Sequence, residues 1–390
     1  MKKLTLIGSF SGRNAGDAAI LGNLLDDFAE VRSDIEFLVP TIKPGYVKKQ
    51  FSHHRVKAMG MMPWHGSLKA FGLANYIGMT RTDMVLITDN ALFDRKFYNP
   101  LINTLWSVAL FSPACRKKNI PIVFYNASVG PIDTEVGKEA LQKVLDATEL
   151  VTLRDQQTQE LFEDLQLKSP EIHLKADSAI NTVPSPENRL EEIIRKENLF
   201  TNSTGTISFN VNAYIDNWSD TGKLTREDFC RIIAGAIDQV IDELGVEVLL
   251  TVTQVMDLTI TRECMQYVKN QGSVRIITNE EYDYHDIVGI LAKVGSHIGL
   301  RTHSLIFCAA INTPMVSINS YPKNAGFMRS IGQDDWMIEF DGLNRDHVAQ
   351  TMIRSWNERE QRKSQMTPIT DAEKAKAKQS VQLVGELLDR

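Results

Sequence analysis

The sequence predicts an α/β protein built as two parallel-sheet domains that face a cleft. Three observations carry this expectation. Apolar runs of strand length alternate with helix-like stretches from one end of the chain to the other. The alternation breaks once, near the middle. And 390 residues suit two domains better than one.

Leu4–Gly8 is the first expected strand. After Asp17, residues Ile20, Leu21, Leu24, Leu25 and Phe28 fall on one helical face. Ile35–Val39, Met84–Thr88, Ile122–Tyr125 and Leu150–Leu153 follow as buried strands. Between Asn181 and Gly205 the pattern is punctuated by Pro184, Pro186 and an Asn-Ser-Thr-Gly run. Residues 186–205, whose charged middle has the length of a short helix, are therefore the expected linker between domains at 1–185 and 206–390. The second series opens with a strand at Thr206–Val211 and a long helix after Leu224, with Thr225 as N-cap. Strands at Val246–Val252 and Val274–Ile277, a helix at Asp286–Lys293, a strand at Ser296–Gly299, a helix from Ser304 and a strand at Pro314–Asn319 complete it. Asp371–Arg390 has helical spacing and either caps the second domain or crosses back to the first. Each half is thus Rossmann-like. Ligands of such folds bind beyond the carboxyl ends of the strands, which points to the loops after Gly8, Thr88, Tyr125, Gly299 and Asn319.

Composition excludes several classes. A net charge of −6 implies no nucleic-acid partner. The apolar start is interrupted by Arg13, Asn14 and Asp17, which suits a strand and not a signal peptide. Leu101–Phe111 is too short to cross a bilayer. Cys115, Cys230, Cys264 and Cys308 lack metal-ligand or CxxC spacing and read as reduced thiols of a cytoplasmic protein. No HExxH or GxSxG occurs, and no carboxylate pair is assignable as a glycosidase acid and base. Oligomeric state leaves no signal.

Four segments carry candidate chemistry. Gly8–Leu21 is a strand, a glycine-containing turn and a helix start, where backbone N–H groups approach an anion or a sugar. Its Asp17 either caps the helix or orients a substrate hydroxyl. Gly299–Ala310 places Arg301 and His303 in a turn between an apolar strand and a helix that Thr302 or Ser304 would cap. A helix N-terminus beside two cationic side chains forms a phosphate site, and Lys323 in the next strand-end loop adds a third charge. Val151–Phe162 places Arg154 and Asp155 between strand and helix, with Asp155 as a cap or both residues in the cleft. Finally, residues 37–82 hold no Asp or Glu. They hold Lys43, Lys48, Lys49, Arg55, Lys57, Lys69 and Arg81, with His53, His54 and His65, interleaved with Tyr46, Phe51, Trp64, Phe71 and Tyr76. This is either a solvated face over core aromatics or a surface for anionic lipid or a diphosphate headgroup at the inner face of the membrane.

Taken in order, these segments resemble the polysaccharide pyruvyl transferases. The resemblance rests on N-x-GD-x-AIL (Asn14, Gly16, Asp17, Ile20, Leu21), S-x-GP (Ser128, Gly130, Pro131), LRD (Leu153, Arg154, Asp155), G-x-R-x-HS (Gly299, Arg301, His303, Ser304) and YPKNAGFM with Lys323. It implies a GT-B-like fold and a reaction in which phosphoenolpyruvate, as co-substrate, places pyruvate as a ketal across two sugar hydroxyls and releases phosphate. The acceptor would be a polysaccharide unit or its lipid-linked precursor, with no metal or other cofactor. Arg301, Thr302, His303, Ser304 and Lys323 would bind the donor, with His303 as general acid, because histidine ordinarily titrates near neutral pH. Asp17 would act as base or orient the acceptor, and Asn14, Asp17, Asp89, Asn90 and Asp94 would line the acceptor side. One departure stands out. Where members carry GGG-x-L-x-D, this chain reads Thr-Asp-Asn-Ala-Leu-Phe-Asp at 88–94, which restricts backbone approach to a ligand or supplies Asp89 and Asn90 for sugar hydroxyls. Two rival readings accompany this one: a nucleotide-sugar glycosyltransferase of the same fold, and a non-catalytic glycan- or lipid-binding relative.

Overall fold

The computed structural model describes residues 1–61, 68–94, 104–213, 224–320 and 322–390. Trp64, His65 and Tyr321 lie outside the described residues, as do residues 101–103 and the side chains of Lys69 and Phe71.

The first nine strands are β1 (Lys2–Ile7), β2 (Ile35–Thr41), β3 (Val56–Gly60), β4 (Met84–Ile87), β5 (Leu92–Asp94), β6 (Ile122–Ala127), β7 (Val129–Ile132), β8 (Thr148–Leu153) and β9 (Ile172–Leu174). Seven of them form one sheet in the order β3-β2-β1-β4-β6-β8-β9, and β5 pairs with β7 alone. Every pairing is parallel, with Leu4 opposite both Phe37 and Met84. The central strands β4 and β6 are buried at every residue. Strands covered by helices on both faces read as unbroken apolar runs, which is why they were legible.

The remaining six are β10 (Thr206–Asn210), β11 (Glu247–Val252), β12 (Val274–Thr278), β13 (Ser296–Gly299), β14 (Met315–Asn319) and β15 (Met337–Glu339). They form a second all-parallel sheet in the order β12-β11-β10-β13-β14-β15. This is the doubly wound order, with its reversal between β10 and β13. The first sheet reverses likewise between β1 and β4. The helix Arg226–Leu244 behaves as expected: Thr225 and Asp228 form a capping box, and Gly245 ends the helix at φ 64°.

The chain divides into two compact units. The first comprises Met1–Gly12, Ile20–Ser178 and Ala375–Arg390, and the second Arg13–Ala19 and Ala179–Lys374. The units depart from a simple division at 185 and 206. The charged middle of the expected linker forms a helix, Glu187–Glu197, whose Leu190 and Ile193 are buried and which belongs to the second unit. The last helix runs over Arg359–Leu388 with Pro368 inside it, longer than the expected Asp371–Arg390. Its final turns belong to the first unit: Asn126 Nδ2 donates to the Ala377 carbonyl at 3.0 Å, and Ser380 Oγ donates to Asn126 Oδ1 at 2.6 Å. Lastly, the helix Ala15–Val31 is shared, with residues up to Ala19 in the second unit and the rest in the first. All four cysteines are buried free thiols. Among the described residues no helix is long and apolar enough to cross a membrane.

Candidate functional site

In the second unit the chain leaves β13 and turns at once into the helix Thr302–Ala310. The turn is tight: a Cβ on Gly299 would lie 2.4 Å from Ser304 Oγ. The backbone N–H of Arg301 donates to Asn210 Oδ1 at 3.0 Å, which fastens the end of β13 to the end of β10 at the sheet's switch point. Arg301 occupies the N-cap position and makes no side-chain cap bond. The expected caps are used otherwise. Ser304 is wholly buried and donates to the Arg301 carbonyl at 2.8 Å. Thr302 donates to Asn324 Oδ1 at 2.5 Å. Beneath them lies His297, fully buried between Ser208 Oγ (3.0 Å) and Ser304 Oγ (3.1 Å). Burial pushes its pKa down to about 3, so it stands as a neutral hydrogen-bonded post.

The Arg301 guanidinium is not an open fork. Its Nε donates to Asp257 Oδ2 at 2.8 Å and its Nη2 to Oδ1 at 2.7 Å. Asp257 has no exposed surface and also accepts from the Ala213 N–H at 2.8 Å. A bidentate carboxylate fixes the plane of the arginine and so aims the rest of the guanidinium. Sequence reading missed Asp257; its signal was an acid set among apolar residues just past β11.

Asn14 and Asp17 were expected on the first domain, yet they belong to the second unit. Ala15 N–H donates to the Thr253 carbonyl at 2.8 Å, Val255 N–H donates to the Arg13 carbonyl at 2.9 Å, and Asn14 bridges to Gln254. Asn14, not Asp17, caps the helix: its Oδ1 accepts from the Gly16 N–H at 2.9 Å. Asp17 sits in the first turn, and its Oδ1 accepts from Asn14 Nδ2 at 2.8 Å. Gly16 lies against the histidine, since a Cβ there would fall 2.0 Å from Cγ and 2.2 Å from Nδ1 of His303. The glycine of the N-x-GD motif is therefore the seat of the His303 ring. Lys323 lies in the first turn of the helix Pro322–Ser330 beyond β14. The next residue, Asn324, is wholly buried and donates to the Leu300 carbonyl at 2.9 Å, which ties that helix to the Arg301 turn. A lysine at a helix N-terminus opposes the helix dipole, an arrangement that an anion relieves. Asn14, Asp17, Arg301, Thr302, His303, Ser304 and Lys323 thus belong to one unit.

Asp89, Asn90 and Asp94 belong to the other. Here the centre is Arg154 at the end of β8, with Asp177 at 2.5 Å, Asp89 at 3.8 Å and Asp155 at 3.9 Å. Asp155 also caps the helix Gln156–Asp164, accepting from the Thr158 N–H at 2.8 Å. Asp89 takes a left-handed backbone, φ 62°, and is 4% exposed, so its carboxylate serves the arginine cluster. Asp94 has no exposed surface: its Oδ2 accepts from Thr134 Oγ1 and packs on Gly137 beneath the helix Glu135–Leu145, while its Oδ1 is buried without a hydrogen-bond partner. Thr88 Oγ1 and Asn90 Oδ1 are buried without a hydrogen-bond partner, which leaves polar capacity at the end of β4.

A family model described as polysaccharide pyruvyl transferase matches residues 14–321. No curated protein matches the chain significantly. Among solved structures, Anabaena Alr3699/HepE in complex with UDP and glucose is 14% identical, with 100% of each chain covered and a TM-score of 0.61. UDP-GlcNAc 2-epimerase from Neisseria meningitidis bound to UDP-GlcNAc is 10% identical, with 100% of each chain covered and a TM-score of 0.67. A glycosyltransferase from Rickettsia africae is 12% identical over 97% of this chain and 93% of its own, with a TM-score of 0.60. At these identities the likeness is one of fold: two parallel-sheet α/β domains, as in GT-B glycosyltransferases and UDP-GlcNAc 2-epimerases.

Proposed function

The chain belongs to the polysaccharide pyruvyl transferase family, and on that footing we propose that it moves pyruvate from phosphoenolpyruvate onto two hydroxyls of a sugar, as a ketal, with release of phosphate. The observation that carries this reading is the second unit's strand-end group. Arg301, His303 and Lys323 stand on the turns after β13 and β14, and His303 rests on the Asn14–Asp17 turn. Phosphoenolpyruvate presents a phosphate and a carboxylate, and two fixed cations beside a helix N-terminus without a side-chain cap bond suit that charge.

In this reading His303 delivers a proton to the methylene carbon of phosphoenolpyruvate. One acceptor hydroxyl attacks the resulting oxocarbenium-like centre and gives its proton to a base, with Asp17 the nearest carboxylate in the motif. The C–O bond to phosphate breaks, the second hydroxyl closes the ketal and its proton goes to the departing phosphate, and the proton taken by the base restores His303. One methyl group forms, two hydroxyl protons are lost and one phosphate is released.

A lipid-linked acceptor, met at a membrane surface, is supported by the first unit. Leu73 (53% exposed), Tyr76 and Leu110 (68%) lie open on the helices Leu68–Thr80 and Thr104–Lys117, next to the basic stretch. Flotation with anionic liposomes at low salt tests this, and absence of binding there removes the membrane part of the reading.

The decisive experiment is phosphate release from phosphoenolpyruvate with a panel of galactosyl, mannosyl and N-acetylhexosamine acceptors, with product mass recorded. Phosphate release with a pyruvyl ketal mass increment is the expected result. No phosphoenolpyruvate binding by calorimetry, together with UDP or GDP release from a nucleotide sugar, would replace this reading with a glycosyltransferase. Donor binding without phosphate release across the panel would point to the non-catalytic relative.

A further inference from the structure

Residues 37–82 contain a feature that the proposed transfer does not use. His53 and His54 stand on the turn after the helix Pro44–Gln50, and Asp26 faces them from the helix Ala15–Val31. His54 Nε2 is 2.9 Å from Asp26 Oδ1, and the two imidazole rings are 4.1 Å apart between centroids at 48°. One ligand atom from each of the three residues lies within 4.8 Å of the other two. All three belong to the first unit.

We propose that Asp26, His53 and His54 form a binding site for a divalent transition-metal ion of the zinc type. The donor set argues for the class of ion. Two imidazole nitrogens and one carboxylate oxygen suit zinc, cobalt or nickel, whereas magnesium and calcium take oxygen donors. Tetrahedral bonds of about 2.1 Å place donor atoms about 3.4 Å apart. The three ligand atoms already lie within 4.8 Å of one another. The Asp26 side chain is 50% exposed and His53 is exposed, so both are within reach of an ion from solvent. The frame is fixed. Val47 and Phe51 are buried beneath the turn, His54 N–H donates to the Phe51 carbonyl at 3.1 Å, and Leu24, Leu25 and Phe28 root the helix in the core. The second histidine, its ring tilted at 48° to the first, brings a nitrogen inside the same radius and completes a three-ligand set. Three protein ligands leave a fourth position to water or an outside group. The ion would clamp the turn 51–54 to the helix Ala15–Val31.

The test is titration of the full chain with zinc sulfate by calorimetry, with cobalt absorption as a second reading. One ion per chain is expected, with a tetrahedral cobalt spectrum and no competition from magnesium. His53→Gln, His54→Gln and Asp26→Asn should each weaken zinc binding about tenfold or more, while His347→Gln leaves it unchanged. Zinc binding that is absent, or unaltered in the folded His53→Gln/His54→Gln double variant, overturns the proposal. Should that double variant fail to fold, the exposed Asp26→Asn variant decides: unchanged zinc affinity and an unchanged cobalt spectrum reject the site.

Discussion

The two units arrange charged side chains differently at the ends of strands laid out in the same order. The first gathers Asp89, Asp155 and Asp177 around one arginine, Arg154. The second gathers Arg301, His303 and Lys323 on the turns after β13 and β14, with Asp257 as the acid that holds Arg301. Topology is therefore not what assigns an anion to one unit. A doubly wound sheet supplies a switch point, and the side chains just past the strands decide what it receives. In the first unit the arginine is held by its own acids, and the buried atoms left without a partner near it, Thr88 Oγ1, Asn90 Oδ1 and Asp94 Oδ1, include hydrogen-bond acceptors. Such a surface suits hydroxyl groups. In the second, Asp257 holds Arg301 and Asp17 is bonded to Asn14, with Lys323 in the first turn of the next helix.

The largest expected effect breaks this contrast at its chemical end. His303→Ala should lower turnover by about 10²–10⁴-fold, the range for losing a general acid, with the melting temperature kept. A fully active variant removes His303 from the chemistry. Gly16→Ala should act on the same ring from behind, because its methyl would occupy space within 2.0–2.5 Å of His303 Cγ, Nδ1 and Cβ. A displacement of about 1 Å is worth about 100-fold in rate, so turnover should fall while phosphoenolpyruvate affinity changes less. If affinity falls and turnover holds, Gly16 serves binding and not the placement of His303.

Next comes the carboxylate under Arg301. Asp257→Asn turns a bidentate pair into a weaker contact and leaves a cation in a site with little water. Breaking a buried pair destabilises by about 3 kcal/mol, the lower end applying here because the Arg301 side chain is 18% exposed. Chemical denaturation should show that loss together with weaker donor binding. Full stability with full binding would mean that Asp257 does not set the arginine.

Much of this was legible, and the reasons differ from element to element. The fully buried strands β4, β6 and β11 stand out by their apolar runs. The edge strand β3 buries none of its five residues completely, so Val-Lys-Ala-Met-Gly leaves no pattern to read. The cationic turn was visible because Arg301 and His303 are adjacent in the chain to a strand end. Asp257 was not, because its partner is 44 residues away. Nor was the membership of Asn14 and Asp17 in the second unit, which rests on backbone bonds to Thr253 and Val255. Local pattern reports burial and turns; it carries nothing about which distant backbone a loop pairs with.

The units also differ in their buried titratable groups, which gives opposite pH slopes. In the first, burial raises the pKa of Asp27 from 3.8 to about 7, opposed by Lys378. The protonated carboxyl is thus favoured on folding, so its stabilisation is complete below pH ~4 and is lost as pH rises towards 7. In the second, burial lowers His297 from 6.5 to about 3. The unfolded state gains the proton first, so that stability is present above pH ~6.5 and is lost as pH falls towards 3. Each slope approaches ~1.4 kcal/mol per pH unit inside its window. Asp27→Asn should flatten the loss between pH 4 and 7 and leave the acid limb. An unchanged profile would show that Asp27 ionises without penalty, with Lys378 compensating it.

The smallest expected effect sharpens the comparison at the position where this chain departs from its family. Asp89 holds φ 62°, a conformation that disfavours side chains bearing a Cβ by about 1 kcal/mol or more and leaves glycine unstrained. Asp89→Gly relieves that strain and loses a 3.8 Å ion pair with Arg154, which still keeps Asp177 at 2.5 Å. The two changes oppose each other, so stability should move by less than about 1 kcal/mol. Asp89→Ala loses the pair and keeps the strain, and should be less stable than Asp89→Gly by about 1 kcal/mol. Thermal melts of the two variants side by side give the answer. Were alanine as stable as glycine, the left-handed turn would carry no strain at this site. The aspartate would then stand there for the arginine's charge alone, and the acidic cluster of the first unit would not be a substitute for a family glycine.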